Sequence, residues 1–226
     1  MVKYLQPELN NFMIISNRNN FIWFFPIGHT ASTSIFFSLK SLFDDKMVRI
    51  GNGESAINQS WHAEDAGLVD AKLIAHKHFS PLMLYRLGYN KDKFISYTKI
   101  AVARSPYTWL ASMMLKNEGI ENFSEKTITQ YLNSVWMRSS DDGNIESQRN
   151  KLKLIDKIIK FENLSNEFTE TLHQLGVGHI KLLKLRRTGK GGNKNLDYMQ
   201  KYTPCGINLV NKVFKEDFEL LKYKML

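Results

Sequence analysis

Apolar residues form two kinds of pattern, one typical of strands and one typical of helices. Segments of the two kinds follow one another along the chain, as in α/β proteins. Short continuous runs of β-branched and aromatic residues predict buried strands. Segments with apolar residues three and four positions apart predict helices. The predicted strands lie at 21–26, 72–76, 96–103, 155–161 and 180–185. The predicted helices lie at 31–42, 81–88, 105–116, 124–138, 164–175 and 204–218.

Two segments lack a clear period. Residues 1–20 are polar and Asn-rich, and we interpret them as a mostly irregular N-terminal arm. Residues 44–70 contain turn signals together with Trp61 and His62, which suggests an insertion close to a site. This insertion is either an acceptor-binding region or a surface loop anchored by its tryptophan. Because no linker-like stretch divides the chain, a single domain over 1–226 is expected.

Composition limits the possible functions. The formal net charge of +9 favours an anionic partner, although solubility alone would also explain it. No zinc-finger or RNA-recognition motif is present, so nucleic acid is not expected as the partner. The single cysteine, Cys205, excludes an internal disulfide and a cysteine metal cluster, and no metal is expected.

The location of the protein is predicted from the same composition. No apolar run reaches the roughly 18 residues that a membrane span needs. The first residues lack the apolar core of a secretion signal. A cytoplasmic protein is therefore expected, and the Lys-, Asn- and Ile-rich composition is typical of a bacterial or phage source.

The first predicted strand leads into a candidate anion-binding loop. The chain turns at Pro26-Ile-Gly28 and then presents the small and hydroxyl residues Thr30, Ala31, Ser32, Thr33 and Ser34 before the helix begins. Backbone N–H groups at a helix N-terminus, with the helix dipole, bind phosphate or sulfate. The loop is not a Walker A sequence, because no Gly-Lys-Ser/Thr follows the turn. An ordinary β-to-α turn is the alternative.

Two further strand ends carry polar candidates. Arg104 directly follows the strand 96–103, and Ser112 lies eight residues on, slightly over two helical turns away. The planar guanidinium of an arginine matches phosphate oxygens, although a structural ion pair is the alternative. His76 and His78 lie between a strand end and the next helix, where open α/β sheets bind ligands.

Three segments of the sequence resemble motifs of the sulfotransferases that use 3′-phosphoadenosine 5′-phosphosulfate (PAPS). His29-Thr-Ala-Ser-Thr-Ser-Ile35 resembles the Lys-Thr-Ala-Gly-Thr-Ser loop of that family. Val102-Ala-Arg-Ser-Pro-Tyr-Thr-Trp-Leu-Ala-Ser112 resembles its Val-Arg-Asn-Pro-Tyr segment. Ile159-Lys-Phe-Glu-Asn-Leu164 is similar to a segment of the carbohydrate-type branch, as are Gln148, Lys77-His78 and the closing Asp217-Phe-Glu-Leu-Leu-Lys-Tyr223.

The resemblance implies a fold and a reaction. The fold would be a three-layer, P-loop-like arrangement with a central, mostly parallel sheet and helices on both faces. The reaction would transfer the sulfuryl group of PAPS to an acceptor hydroxyl, most simply of a carbohydrate, and release adenosine 3′,5′-bisphosphate (PAP). Residues 30–34 would bind the 5′-phosphosulfate, while Arg104 and Ser112 would bind the 3′-phosphate.

The sequence departs from the resembling family at one catalytic position, because His29 replaces the lysine that assists the leaving group in the family. A protonated imidazole can replace the lysine charge, whereas a neutral one only donates a hydrogen bond. His78 is the candidate base, and His76, Trp61 and His62 are candidate acceptor contacts.

The basic, glycine-rich segment 186–195 is predicted to be a mobile loop. This loop either closes on the nucleotide or is only a solvated surface loop. Arg187, Lys190 and Gly191 are its candidate nucleotide contacts. Two other functions stay open for the chain: a PAP- or glycan-binding module that has lost catalysis, and a P-loop-like kinase. The missing Walker lysine and the Arg104/Ser112 pair argue against the kinase.

Overall fold

The fold was analysed in a computed structural model. It describes residues 12–17, 20–25, 27–31, 34–35, 38–39, 47–50, 95, 98–134, 147–183 and 198–226. The strands are β1 (Phe12–Asn17), β2 (Asn20–Phe25), β3 (Met47–Ile50), β4 (Thr98–Ala103) and β5 (Lys157–Lys160). The helices are α1 (Pro106–Glu118), α2 (Glu125–Leu132), α3 (Gln148–Lys151), α4 (Leu164–Gln174), α5 (Pro204–Val213) and α6 (Lys215–Leu221). Short 3₁₀ turns cover Phe161–Asn163 and Tyr198–Lys201.

The five described strands form one sheet in the order β3-β1-β2-β4-β5. β2, β4 and β5 are parallel, with Phe25 opposite Ala101 and Ala103 opposite Lys160. β1 pairs antiparallel with both β2 and β3. The α/β class is therefore confirmed, but the described sheet is mixed rather than mostly parallel.

The strands β1 and β3 correct two sequence interpretations. Residues 12–17, which were expected in the irregular arm, form a strand that pairs antiparallel with β2. Residues 47–50 lie in the expected insertion and add a strand to the sheet edge. The predicted strand at 180–185 is wrong for 180–183, which form no strand. The strand predicted at 72–76 and the helix predicted at 81–88 lie outside the described residues.

Successive strand residues point to opposite sides of the sheet, and here both sides carry apolar residues that helices cover. Phe25, Ala101 and Ala103 face a core built with α1, α2, α5 and α6. Phe24, Ile100 and Val102 face a second core that contains the helical residues Ile35 and Leu39 together with α4. Among the described residues, no helix is long and apolar enough to cross a membrane.

Local capping chemistry sets where several helices begin. Ser-Pro precedes α1 and Thr-Pro precedes α5, and Pro occupies the first helical position in both. The Thr203 side chain accepts the Gly206 N–H at 3.1 Å. The single helix predicted over 204–218 is two helices, since Phe214 has a non-helical backbone between α5 and α6. Phe214 and Phe218, four positions apart, both enter the core.

Candidate functional site

The ends of the parallel strands meet at one edge of the sheet. β2 ends before residues 27–31, β4 ends before Arg104, and β5 ends before the turn Phe161–Asn163. The helical residues after β2 and the helix α1 after β4 pack on opposite faces of the sheet. Neighbouring strands whose helices leave on opposite faces open a crevice at their carboxyl ends, where α/β proteins bind ligands.

The loop after β2 is fixed by its own hydrogen bonds. The Thr30 side chain is buried, and its hydroxyl donates to the Ile27 carbonyl at 2.6 Å. The Thr30 N–H donates to the same carbonyl at 3.3 Å. The indole N–H of Trp109 donates to the Gly28 carbonyl at 2.9 Å and so ties the loop to α1. The loop conformation is therefore set before any ligand binds.

The loop backbone adopts a conformation that suits an anion. His29 and Ala31 have left-handed φ angles of 65° and 64°, whereas Thr30 between them does not. Left-handed residues next to right-handed ones occur in the nests that bind phosphate through backbone N–H groups, while the Thr30 N–H of this loop is held by the Ile27 carbonyl. A left-handed residue other than glycine costs about 1–2 kcal/mol. Strained residues of this type cluster at functional sites.

Contacts with four described residues hold Arg104 beside this loop. Its Nε–H donates to Thr108 Oγ1 at 2.9 Å, and Nη1 donates to the His29 carbonyl at 3.3 Å. Its guanidinium carbon lies 4.3 Å from the centre of the Phe161 ring and 5.6 Å from that of Tyr198. Aromatic faces attract the guanidinium charge and fix its plane. A buried arginine in this setting is preorganised to bind an anion.

Ser112 meets the same loop from the second turn of α1. Its Oγ lies 3.3 Å from His29 Nδ1, and the donor depends on the histidine tautomer. The eight-residue spacing puts Arg104 and Ser112 near one face of the chain leading into α1. The structure thus brings three sequence-predicted residues, His29, Arg104 and Ser112, into direct contact.

Sequence reasoning missed the residues that shape the Arg104 environment. Thr108 follows Arg104 at helical spacing, which could have suggested a contact. Phe161 follows a parallel strand next to β4, but its contact with Arg104 depends on the pairing of β4 with β5 rather than on a local pattern. Tyr198 lies in a 3₁₀ turn far along the chain, and no local pattern indicates its approach.

Gln148 supports Arg104 through the backbone. Its side-chain amide accepts the Arg104 N–H at 2.9 Å and donates to the Arg104 carbonyl at 2.7 Å. Gln148 is fully buried at the start of α3. The buried Asp217 carboxylate in turn accepts the N–H groups of Gln148 at 3.0 Å and Arg149 at 2.9 Å. These bonds link α6 to the residue that follows β4.

The Asp217 carboxyl gives a prediction of pH dependence. Burial raises the pKa of Asp217, against the lowering effect of the two N–H donors and of Arg149. A carboxyl with a pKa above its unfolded value of about 3.9 contributes most to stability when it is protonated. The free energy of unfolding of the wild type, relative to Asp217→Asn, should therefore decrease as pH rises from about 4 through the folded pKa.

Urea denaturation of both chains between about pH 3.5 and 7 measures this difference. The Asp217→Asn chain provides the baseline, because it keeps the shape of the side chain and removes its titration. An increase of the difference with pH would show that the N–H donors and Arg149 outweigh burial at this site.

Of the remaining candidate site residues, the structure describes only Ser34. Ser34 is helical and half-buried, and its carbonyl accepts the Ser38 hydroxyl at 2.7 Å. The other candidates lie outside the described residues; they are Ser32, Thr33, Trp61, His62, His76, His78, Arg187, Lys190 and Gly191. Within the described parts of the chain, no three His, Cys, Asp or Glu side chains form a group that could hold a metal ion.

Comparisons with known proteins add no family. A scan against protein-family models, a search of curated proteins and a search of solved structures each found no match for this chain.

Proposed function

We propose that the chain is a PAPS-dependent sulfotransferase that transfers a sulfuryl group to an acceptor hydroxyl, most simply of a carbohydrate, and releases PAP. The observation that carries the proposal is the contact of His29 with both Arg104 and Ser112 at the carboxyl edge of the parallel strands. These residues come from segments 75 to 83 positions apart. The sequence motifs that suggested one nucleotide site therefore meet in space.

In this proposal the loop binds the phosphosulfate end of the cosubstrate. Backbone N–H groups of the loop donate hydrogen bonds to the negative oxygens of the 5′-phosphate and sulfate. Arg104 and Ser112 bind the 3′-phosphate, which distinguishes PAPS from other adenine nucleotides. The aromatic faces of Phe161 and Tyr198 keep the guanidinium plane fixed for a bidentate contact.

The reaction needs positioning and charge stabilisation more than covalent chemistry, as phosphoryl transfer does. The bond between sulfur and the bridging oxygen breaks, while a bond from the acceptor oxygen to sulfur forms. The acceptor proton passes to a base, for which His78 is our candidate from its sequence position. The bridging oxygen leaves on PAP with a negative charge, and we assign His29 to stabilise it.

A specific observation favours a second function, a PAP-binding module without catalysis. The His29 ring stands where the resembling family has lysine, and its Nδ1 is engaged with Ser112 Oγ. A neutral histidine in this position donates a hydrogen bond to the leaving oxygen but supplies no full charge. Binding without turnover would result.

Calorimetric titration with PAP, ATP and AMP tests the nucleotide site. Micromolar affinity for PAP, about −8 kcal/mol, is expected, with much weaker binding of AMP because it lacks the 3′-phosphate. Incubation with radiolabelled PAPS and a set of sugar acceptors then separates enzyme from module. Absence of PAP binding would contradict both functions.

A further inference from the structure

Three sequence motifs without an assigned role meet on the first residues after β4. They are Gln148, the turn Phe161–Asn163 and the C-terminal stretch Asp217–Tyr223. One connection runs from Asp217 through Gln148 to the Arg104 backbone. A second runs from Tyr223 through Glu162 to the neighbouring residue, Ser105.

The second connection supplies a helix cap from a distant residue. Ser105 is the N-cap of α1, but its side chain makes no capping hydrogen bond. Glu162 Oε1 instead accepts the Ser105 N–H at 3.0 Å. A carboxylate near a helix N-terminus is also favoured by the helix dipole. Glu162 therefore fixes the backbone directly after Arg104.

Tyr223 fixes the orientation of Glu162. The Tyr223 hydroxyl donates to Glu162 Oε2, so both carboxylate oxygens are engaged. The Lys160 ammonium lies 4.8 Å from the centre of the Tyr223 ring. Burial and the facing Glu162 carboxylate raise the pKa of Tyr223 above its ordinary value.

We propose that Glu162 and Tyr223 are positioning residues for the anion-binding Arg104. They act through the Ser105 backbone and contact no ligand themselves. The proposal rests on the proposed function for the identity of the ligand, but the positioning itself is measurable in the ligand-free chain. Outer hydrogen-bond partners have this role at metal sites, where they orient the ligating side chain.

Tyr223→Phe is the sharpest variant, because it removes one hydroxyl and keeps the ring. Tyr107→Phe is its matched control. The Tyr107 hydroxyl makes two hydrogen bonds where the Tyr223 hydroxyl makes one, and its partners are Asn211 and the Leu226 N–H rather than the residues beside Arg104. Both variants are compared at a temperature where thermal denaturation shows each of them fully folded.

Hydrogen exchange of the Arg104 Nε–H, observed by NMR, is the first readout. This group is buried and donates to Thr108. Tyr223→Phe should accelerate its exchange by up to about fivefold, the factor reached when the whole of one ordinary hydrogen bond is transmitted to Arg104. Tyr107→Phe should leave it unchanged. Glu162→Gln, which keeps an acceptor for Ser105, should disturb the exchange less than Glu162→Ala.

PAP affinity is the second readout. Tyr223→Phe should raise the Kd for PAP about fivefold while Tyr107→Phe leaves it within twofold. Equal exchange rates of the Arg104 Nε–H in wild type and Tyr223→Phe would overturn the positioning role. If the wild type does not bind PAP, the proposed function fails, and the exchange measurement still decides whether Tyr223 positions Arg104.

Discussion

Arg104→Ala is expected to weaken PAP binding by about a hundredfold. A hydrogen bond to a charged group contributes about 1.5–3 kcal/mol, so two such bonds to the 3′-phosphate, each at the lower end of that range, account for a change of about this size. Arg104→Lys should recover only part of the affinity, because an ammonium lacks the planar fork that matches phosphate. Calorimetric titration of the wild type and both variants measures the three Kd values.

Two controls separate a lost ligand contact from a general loss of charge or structure. Arg149→Ala removes another arginine, whose exposed guanidinium pairs with Glu216 at 2.7 Å, and should leave the PAP Kd within twofold. AMP lacks the 3′-phosphate, so its weak affinity should be the same in wild type and Arg104→Ala. Equal losses for PAP and AMP would mean that Arg104 supports the loop rather than the 3′-phosphate, since its Nη1 also donates to the His29 carbonyl.

The central strands and the helix starts could be predicted because their signals are local. The strands β4 and β5 are centred on the apolar residues Ile100–Ala103 and Ile158–Ile159, and they begin and end within two residues of the prediction. Ser105-Pro106 and Thr203-Pro204 place the starts of α1 and α5 correctly, since a capping residue followed by proline acts on its own turn.

Strand pairing was harder to predict because it depends on distant residues. The Asn-rich composition gives no signal for β1, although this strand contains the apolar residues Phe12–Ile15 and ends three positions before β2 begins. β3 has four residues and gains its stability from pairing with β1, so no pattern of its own indicates it. The mixed character of the sheet follows from these two strands.

In the candidate site, too, local relations could be predicted from the sequence and contacts between distant segments could not. Helical spacing predicts that Arg104 and Ser112 act together, because that relation lies within one segment. Nothing in the sequence predicts the left-handed backbone at His29 and Ala31, since neither position is glycine. The contact of Tyr198 with Arg104 also depends on the tertiary fold alone. The residue types were therefore visible in the sequence, whereas their surroundings were not.

His29→Asn is expected to lower kcat about a hundredfold and to change the Kd for PAP by less than about threefold. Removal of one donor that stabilises developing negative charge typically costs 10²–10³ in kcat. Asparagine is the suitable replacement, because it tolerates the φ of 65° at this position and so preserves the loop backbone. His29→Ala should show the same loss of kcat, with added strain from the left-handed alanine.

His29→Lys completes the test, because lysine stands at this place in the resembling family. Retained turnover in His29→Lys, with turnover lost in His29→Asn, would show that the side chain stabilises the leaving oxygen. Parallel losses of kcat and PAP affinity in His29→Asn would instead place His29 in ground-state binding, since only interactions made in the transition state change kcat alone. Equal kcat in wild type and His29→Asn would exclude a catalytic role. A wild type that binds PAP without transfer, together with a His29→Lys chain that gains transfer, would identify the histidine as the change that turned an enzyme site into a binding site.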